Sequence, residues 1–141
     1  MALNGWLIDK SAIIRLANSP DANVWVSRIN EGLVRLSSIT RLEIGYSARN
    51  AKDLLESFSS LPLSKMPIQL LSPAIEERAW DVLKELSKSG KHRAPSIPDL
   101  LIAATAEKHG LSVLHLDKDF EIISKVTGQV QERIKTTTSK P

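Results

Sequence analysis

The sequence predicts an α/β fold in which a central, mostly parallel sheet is flanked by helices on both faces. Short apolar runs of strand length alternate along the chain with longer segments of helical periodicity, the pattern of a sheet built from crossover units. Helix start and stop signals punctuate the junctions. Two of the apolar runs stop on aspartates, Asp9 and Asp117, and in a parallel sheet such strand ends share one rim.

Residues 5–8 are a short apolar run ending at Asp9, a buried strand. Residues 11–17 read as one or two helical turns with Ile13, Ile14 and Leu16 facing inward. Ser19-Pro20-Asp21 is a helix start, with serine as N-cap, proline in the first position and an acid in the first turn; that helix runs to about Glu31 and stops at Gly32. Residues 33–37 form a second strand. Thr40-Arg41-Leu42-Glu43 has capping-box spacing and opens a helix to about Arg49, followed by another over residues 52–60. A proline-punctuated connection over residues 61–67 leads to a short strand at 68–71. Ser72-Pro73 starts the longest helix, with Ile75, Ala79, Val82, Leu83 and Leu86 at helical spacing and Gly90 as its stop. After the basic loop Lys91-His92-Arg93-Ala94-Pro95, residues 96–98 lead into a helix from about Asp99 to His109, ended by Gly110. Residues 111–116 are a strand, and Asp117-Lys118-Asp119-Phe120 turns into a last helix ending near Gly128. One domain is expected over residues 1–130, with 131–141 as a C-terminal tail whose Thr/Lys-rich end predicts partial disorder.

At 141 residues, 42% hydrophobic and 25% charged, the chain can bury a core without staples. With no cysteine, neither a disulfide scaffold nor a thiolate zinc site is available. His92, His109 and His115 lack metal-ligand spacing, Gly90-Lys91 is a helix stop rather than a phosphate loop, and no serine sits in a nucleophile elbow. Trp6, Trp25 and Trp80 lie in apolar or helical settings that predict core or dimer packing rather than base stacking. The apolar stretches fall far short of a membrane span and the opening residues lack a signal-peptide pattern, so a cytoplasmic protein is expected. The net charge of +3 is compatible with nucleic acid and decides little.

The informative feature is an acidic set inside this basic chain. Each acid has an ordinary explanation: Asp9 can cap the first helix, Asp117 or Asp119 the last, Glu43 can complete a capping box with Thr40, and Asp99 sits where a helix dipole favours negative charge. Together they say more. Strand carboxyl ends and the amino ends of the following helices occupy one edge of a parallel layer, so Asp9, Glu43, Asp99 and Asp117 converge there. Crowded carboxylates repel one another unless a cation neutralises them. Mg²⁺ is the natural filler and Mn²⁺ the alternative, both hard ions suited to displacement at phosphorus.

Leu7-Ile8-Asp9-Lys10-Ser11-Ala12, Thr40-Arg41-Leu42-Glu43-Ile44, Pro98-Asp99-Leu100-Leu101-Ile102-Ala103-Ala104 and Leu116-Asp117-Lys118-Asp119-Phe120 resemble the ordered acidic motifs of PIN domains, and more narrowly those of VapC toxins of bacterial type II toxin–antitoxin modules. The resemblance runs from about Gly5 to Gly128. It implies a single PIN-like domain, a metal-dependent endoribonuclease, a homodimer, and inhibition by a cognate VapB-type antitoxin. It implies Asp9, Glu43, Asp99 and Asp117 as catalytic residues, with the metal held by Asp9, Asp99 and Asp117 and support from Asp119 and Ser11. Lys10 departs from the family, where Thr or Ser commonly follows the first acid; Lys10, Arg15, Arg41 and Lys118 are candidate contacts to substrate phosphate.

Two other classes compete with an RNA hydrolase. A non-catalytic PIN-like module binding RNA or protein would gain nothing from four carboxylates. A receiver-like phosphoacceptor needs an aspartate at a central strand end that residues 33–37 do not supply, and the Asp117/Asp119 pair of a haloacid-dehalogenase-type phosphatase would follow the first strand rather than the last.

Overall fold

The computed structural model describes residues 4–137. Its five strands are β1 (Trp6–Ile8), β2 (Val34–Ser37), β3 (Ile68–Gln69), β4 (Ser112–His115) and β5 (Gln131–Arg133), ordered β3-β2-β1-β4-β5, with every pairing parallel. Between them run α1 (Lys10–Ile13), α2 (Ala22–Asn30), α3 (Ser38–Tyr46), α4 (Ala51–Ser59), α5 (Pro73–Ser87), α6 (Ile97–His109) and α7 (Lys118–Thr127). The chain winds outward from β1 through β2 to β3, then crosses back to lay β4 and β5 on the other side of β1. Strand order therefore reverses between β1 and β4, and at such a switch point the loops diverge and open a crevice beyond the carboxyl ends.

Side-chain alternation along the central strands divides the core in two. Leu7 and Val113 face a cluster built on α5, α6 and α7, with Ile75, Leu86, Ile102 and Phe120 fully or nearly fully buried. Ile8, Leu36 and Leu114 face the opposite cluster, with Ala12, Trp25 and Ile29 of α1 and α2 and Phe58 of α4. A sheet covered on both faces has no solvated side, which is why β1 and the middle of β4 are apolar on both faces rather than alternating. Helix α6 is the most enclosed: Leu100, Ile102, Ala103, Ala104, Thr105 and Ala106 are all buried, as expected of a helix sandwiched between the sheet and an outer layer. At Gly5, where φ is +129°, an added Cβ would lie 2.3 Å from the Leu33 carbonyl oxygen, so only glycine lets β1 enter beside the loop before β2.

Several expectations are corrected. Helix α3 begins at Ser38 and is capped by Ser37, whose Oγ accepts from Thr40 N–H at 3.0 Å; Thr40 is a buried first-turn residue, and Glu43 lies a turn further in, so the two form no capping box. Ser19 does not cap α2 directly. Its hydroxyl accepts from Asp21 N–H (3.1 Å), closing a turn ahead of a helix that starts at Ala22. Ile14 is 63% exposed, because α1 lasts a single turn and the 3-10 turn at Leu16–Asn18 resets the phase. Trp80 stands out from α5, 55% exposed, whereas Trp25 is in the core and Trp6 packs against it. Strand β5 lies beyond residue 130, in the segment read as a tail, and joins the sheet through β4. Residues 138–141, the end of that predicted tail, lie outside the described residues.

Candidate metal centre

The acids picked out from the sequence gather at the carboxyl rim, around the β1/β4 switch point. Asp9 follows β1 and caps α1, its Oδ2 accepting from Ser11 N–H (3.0 Å) and Ser11 Oγ (2.6 Å). The same Ser11 Oγ accepts from Leu116 N–H at 2.9 Å, so one hydroxyl ties the end of β1 to the end of β4. Asp117 follows β4 and caps α7, its Oδ1 accepting from Asp119 N–H at 3.0 Å. This cap turns residues 117 and 119 toward the same rim. Asp119 Oδ2 in turn accepts from Ser96 N–H (3.2 Å), while Ser96 Oγ caps α6 by accepting from Asp99 N–H (3.2 Å). Asp99 is thereby delivered from the first turn of the most buried helix into the middle of the group.

Carboxylate oxygens of Asp99, Asp117 and Asp119 lie within 4.8 Å of one another. Asp9 and Asp99 are almost completely buried, Asp117 and Asp119 partly so. Burial, followed by the charge of Asp9, the hydrogen bond with the Asp119 carboxyl and the charges of Asp117 and Asp119, pushes the Asp99 carboxyl up to about 8. Glu43, half-buried on α3, is raised by burial and then by Asp9, with Lys10 opposing. Asp99 is thus the hub: Asp9 acts on it from the β1 side, Asp117 and Asp119 from the β4 side. Among the described residues none of these five acids forms a salt bridge with lysine or arginine. A pocket of hard oxygen donors, partly buried and lacking a protein cation, fits a divalent ion that prefers oxygen ligands.

The basic candidates are placed differently. Lys10 Nζ donates to Ser47 Oγ at 2.9 Å and lies close enough to Glu43 to offset its charge, which ties this lysine to the site itself. Arg15, Arg41 and Lys118 are exposed and make no side-chain hydrogen bond among the described residues. Both members of the Asp117/Asp119 pair come within reach of Asp99. Sequence reasoning passed over Ser96, although its place three residues before Asp99 is an N-cap signal. It also gave no part to His115, which sits beneath the rim and has no motif.

The PIN domain family model matches residues 6–126. Ribonuclease VapC2 of Mycobacterium tuberculosis strain CDC 1551 is 54% identical over 129 residues, covering 92% of this chain and 92% of the relative. Ribonuclease VapC51 of Mycobacterium tuberculosis strain H37Rv is 39% identical over 132 residues, covering 92% and 91%. Among solved structures, DNA-bound VapBC from Salmonella typhimurium aligns with a TM-score of 0.71 at 22% identity, covering 92% of this chain and 97% of that one. VapBC-5 from Mycobacterium tuberculosis aligns with a TM-score of 0.64 at 21% identity, covering 94% and 99%; at such identities the likeness is one of fold. The family model spans every acid of the rim and the match to VapC2 extends over nearly the whole of both chains, so the chain belongs to the PIN domain family and, within it, to the VapC ribonucleases.

Proposed function

We propose that the protein is a metal-dependent endoribonuclease, acting as the toxin of a toxin–antitoxin pair, that hydrolyses RNA phosphodiesters at the β1/β4 rim. The observation that carries this is the group of three carboxylates within 4.8 Å at the switch point, to which no lysine or arginine is ion-paired among the described residues. Asp9, Asp99 and Asp117 would hold the ion, Mg²⁺ with Mn²⁺ as the alternative, and Asp119 would support them from the same turn. When bound, such an ion neutralises charge building on phosphate oxygens and makes water a better nucleophile at neutral pH.

The remaining work falls to the chain's own side chains. Ser11 holds the Asp9 carboxylate in place through Oγ and backbone N–H together. Glu43, raised above the ordinary glutamate range, accepts at its carboxylate the proton released as water oxygen bonds to phosphorus and the bond to the departing strand breaks. The charge of Lys10 opposes that rise. Arg15, Arg41 and Lys118, exposed and close to the acids in sequence, offer charge to flanking phosphates.

The partners are proposed on the relatives and on one surface. Proteins of the same fold include DNA-bound VapBC from Salmonella typhimurium and FitAB bound to a DNA fragment. An apolar groove between α2 and the loop after α4, lined by Leu16, Trp25, Val26, Ile29 and Leu61, offers a seat for an apolar antitoxin segment. A homodimer is proposed on the family resemblance.

The test is cleavage of total RNA by purified protein with Mg²⁺ or Mn²⁺ against EDTA, alongside Asp9→Ala and Asp99→Ala. Discrete products that need the ion and vanish in both variants are expected. A well-folded wild type that binds RNA but cleaves no pool under any ion would replace this reading with a binding module. Growth arrest on induction, relieved by co-expression of the neighbouring antitoxin, is the expected outcome in cells.

A further inference from the structure

His115 is the last residue of β4, fully buried, its ring 5.1 Å from that of Phe120 in the first turn of α7. A buried imidazole is costly unless both nitrogens are paired, and here both are. Nδ1 lies 3.0 Å from the Asp117 backbone N–H, a group that can only donate, so Nδ1 carries no proton and accepts. Nε2 then carries the proton and donates to Gln131 Oε1 at 2.5 Å. Gln131 belongs to β5, the edge strand whose pairing with β4 brings its side chain to the ring.

We infer that His115 is a positioning residue for the metal centre: it holds the Asp117 backbone through Nδ1, and Gln131 fixes which ring nitrogen bears the proton. The inference rests on the reading of Asp117 as a metal-holding acid. The Asp117 N–H sits in the turn between β4 and α7, where no strand or helix partner is provided. Anchoring it sets the direction of the Asp117 carboxylate and, through the cap to Asp119 N–H, the start of the helix that carries the second acid. If the ring took the other tautomer, a proton on Nδ1 would face the amide proton. The donor-only Asp117 N–H opposes that arrangement, and the Gln131 amide oxygen supports the observed one by accepting the Nε2 proton. β5 thus completes the site from outside it.

Packing alone would also explain a buried ring, and two substitutions separate the explanations. His115→Leu fills the space and offers no acceptor; His115→Asn is smaller but places Oδ1 near where Nδ1 stood. Mn²⁺ alone is the probe, titrated calorimetrically into the metal-free protein, with RNA cleavage measured in parallel. His115→Leu is expected to bind Mn²⁺ about tenfold more weakly and to lower kcat with KM for RNA unchanged. His115→Asn is expected to stay within about threefold of wild type, because the hydrogen bond survives. Wild-type affinity in His115→Leu overturns the inference, as does an equal loss in both variants with matched melting temperatures. Should His115→Leu not fold, Gln131→Leu, on a half-buried edge position, decides: about threefold weaker Mn²⁺ binding supports the role and no change overturns it. Should the wild type itself bind no Mn²⁺, the metal reading falls separately. Hydrogen exchange at the Asp117 amide then decides alone: faster exchange in His115→Leu than in His115→Asn upholds the positioning role, and equal protection refutes it.

Discussion

Two groups of polar and aromatic side chains flank β1, and they are built on opposite terms. At the amino end, Trp6 packs edge-on against Trp25 with ring centroids 5.2 Å apart, and the Arg28 guanidinium lies over both rings at 4.4 and 4.6 Å. Trp6 Nε1 donates to Glu132 Oε1 at 3.1 Å, so this group ties β1, α2 and β5 together. At the carboxyl end, Asp9, Asp99, Asp117 and Asp119 meet, and among the described residues no lysine or arginine is ion-paired to them. The first region holds the fold together by its own contacts. The second is held in place against its own repulsion, by serine hydroxyls and helix caps, and becomes comfortable only when something positive arrives. Stability and function are thus placed at opposite ends of one strand, and each can be perturbed separately.

The sharpest way to break that separation is Asp99→Asn. Removing the hub charge takes away an ion-holding oxygen, and about 4 kcal/mol of lost transition-state stabilisation corresponds to a thousandfold drop in kcat/KM for RNA cleavage. The same substitution removes the cost of keeping a buried aspartate protonated at neutral pH, so the metal-free protein should melt higher than wild type, by about 3–6 °C if about 1 kcal/mol is recovered. Cleavage assays with Mg²⁺ and thermal melts in EDTA read the two effects. A variant that loses activity and also melts lower would show that Asp99 holds the fold as well as the ion.

Trp25→Ala probes the opposite end. Trp25 is 2% exposed and meets Trp6, Arg28 and the apolar layer beneath β1. Its truncation should cost about 3–5 kcal/mol of unfolding free energy, measured by urea denaturation. Mn²⁺ affinity of the folded fraction should be unchanged. A parallel loss of ion binding would mean that the two ends of β1 are coupled.

The acidic end was more legible in the sequence than the aromatic one. Asp9 and Asp117 announce themselves by ending apolar runs, and Asp99 by standing in the first turn of a helix that Gly110 closes. Glu43 is read correctly as a rim residue for a mistaken reason, since Ser37 and not Thr40 caps α3. Two hydroxyls three residues apart offer the same local signal, and only the register of β2 decides between them. β5 is invisible because three polar residues on an edge carry no periodicity; it exists through backbone pairing with β4 and the reach of Gln131 and Glu132 to His115 and Trp6. Pairings across more than a hundred residues, such as Trp6 with Glu132, leave no trace in any local window.

The pH dependence of the metal-free protein sharpens the contrast further. Asp99 binds its proton up to about 8 in the folded state, against 3.8 for an ordinary aspartate. Below that ordinary value both states are protonated and the fold bears no charge there. As pH rises toward about 8 the unfolded chain has released the proton while the folded one still holds it, so stability falls across this window and the loss is complete above it. Glu43, raised as well, adds in the same direction. Unfolding midpoints in EDTA should therefore decline as pH increases, and saturating Mn²⁺ should flatten the decline. A flat profile without the ion would mean that the acids are relieved in some other way.

Arg28→Ala is the smallest change and the cleanest control. The guanidinium contributes by lying over two ring faces, an arrangement worth about 1 kcal/mol when partly shielded from water. Unfolding free energy should drop by about that amount, and Arg28→Lys should recover part of it, since a point charge keeps the attraction to the rings but not the planar stacking. A double-mutant cycle with Trp6→Leu isolates the pairwise share from the apolar packing that either residue contributes alone. A coupling energy near zero would mean that Arg28 serves only as a solvated cover for the two rings. Because this cation lies at the amino end of β1, its removal should leave the EDTA pH profile of the acids with the slope of the wild type.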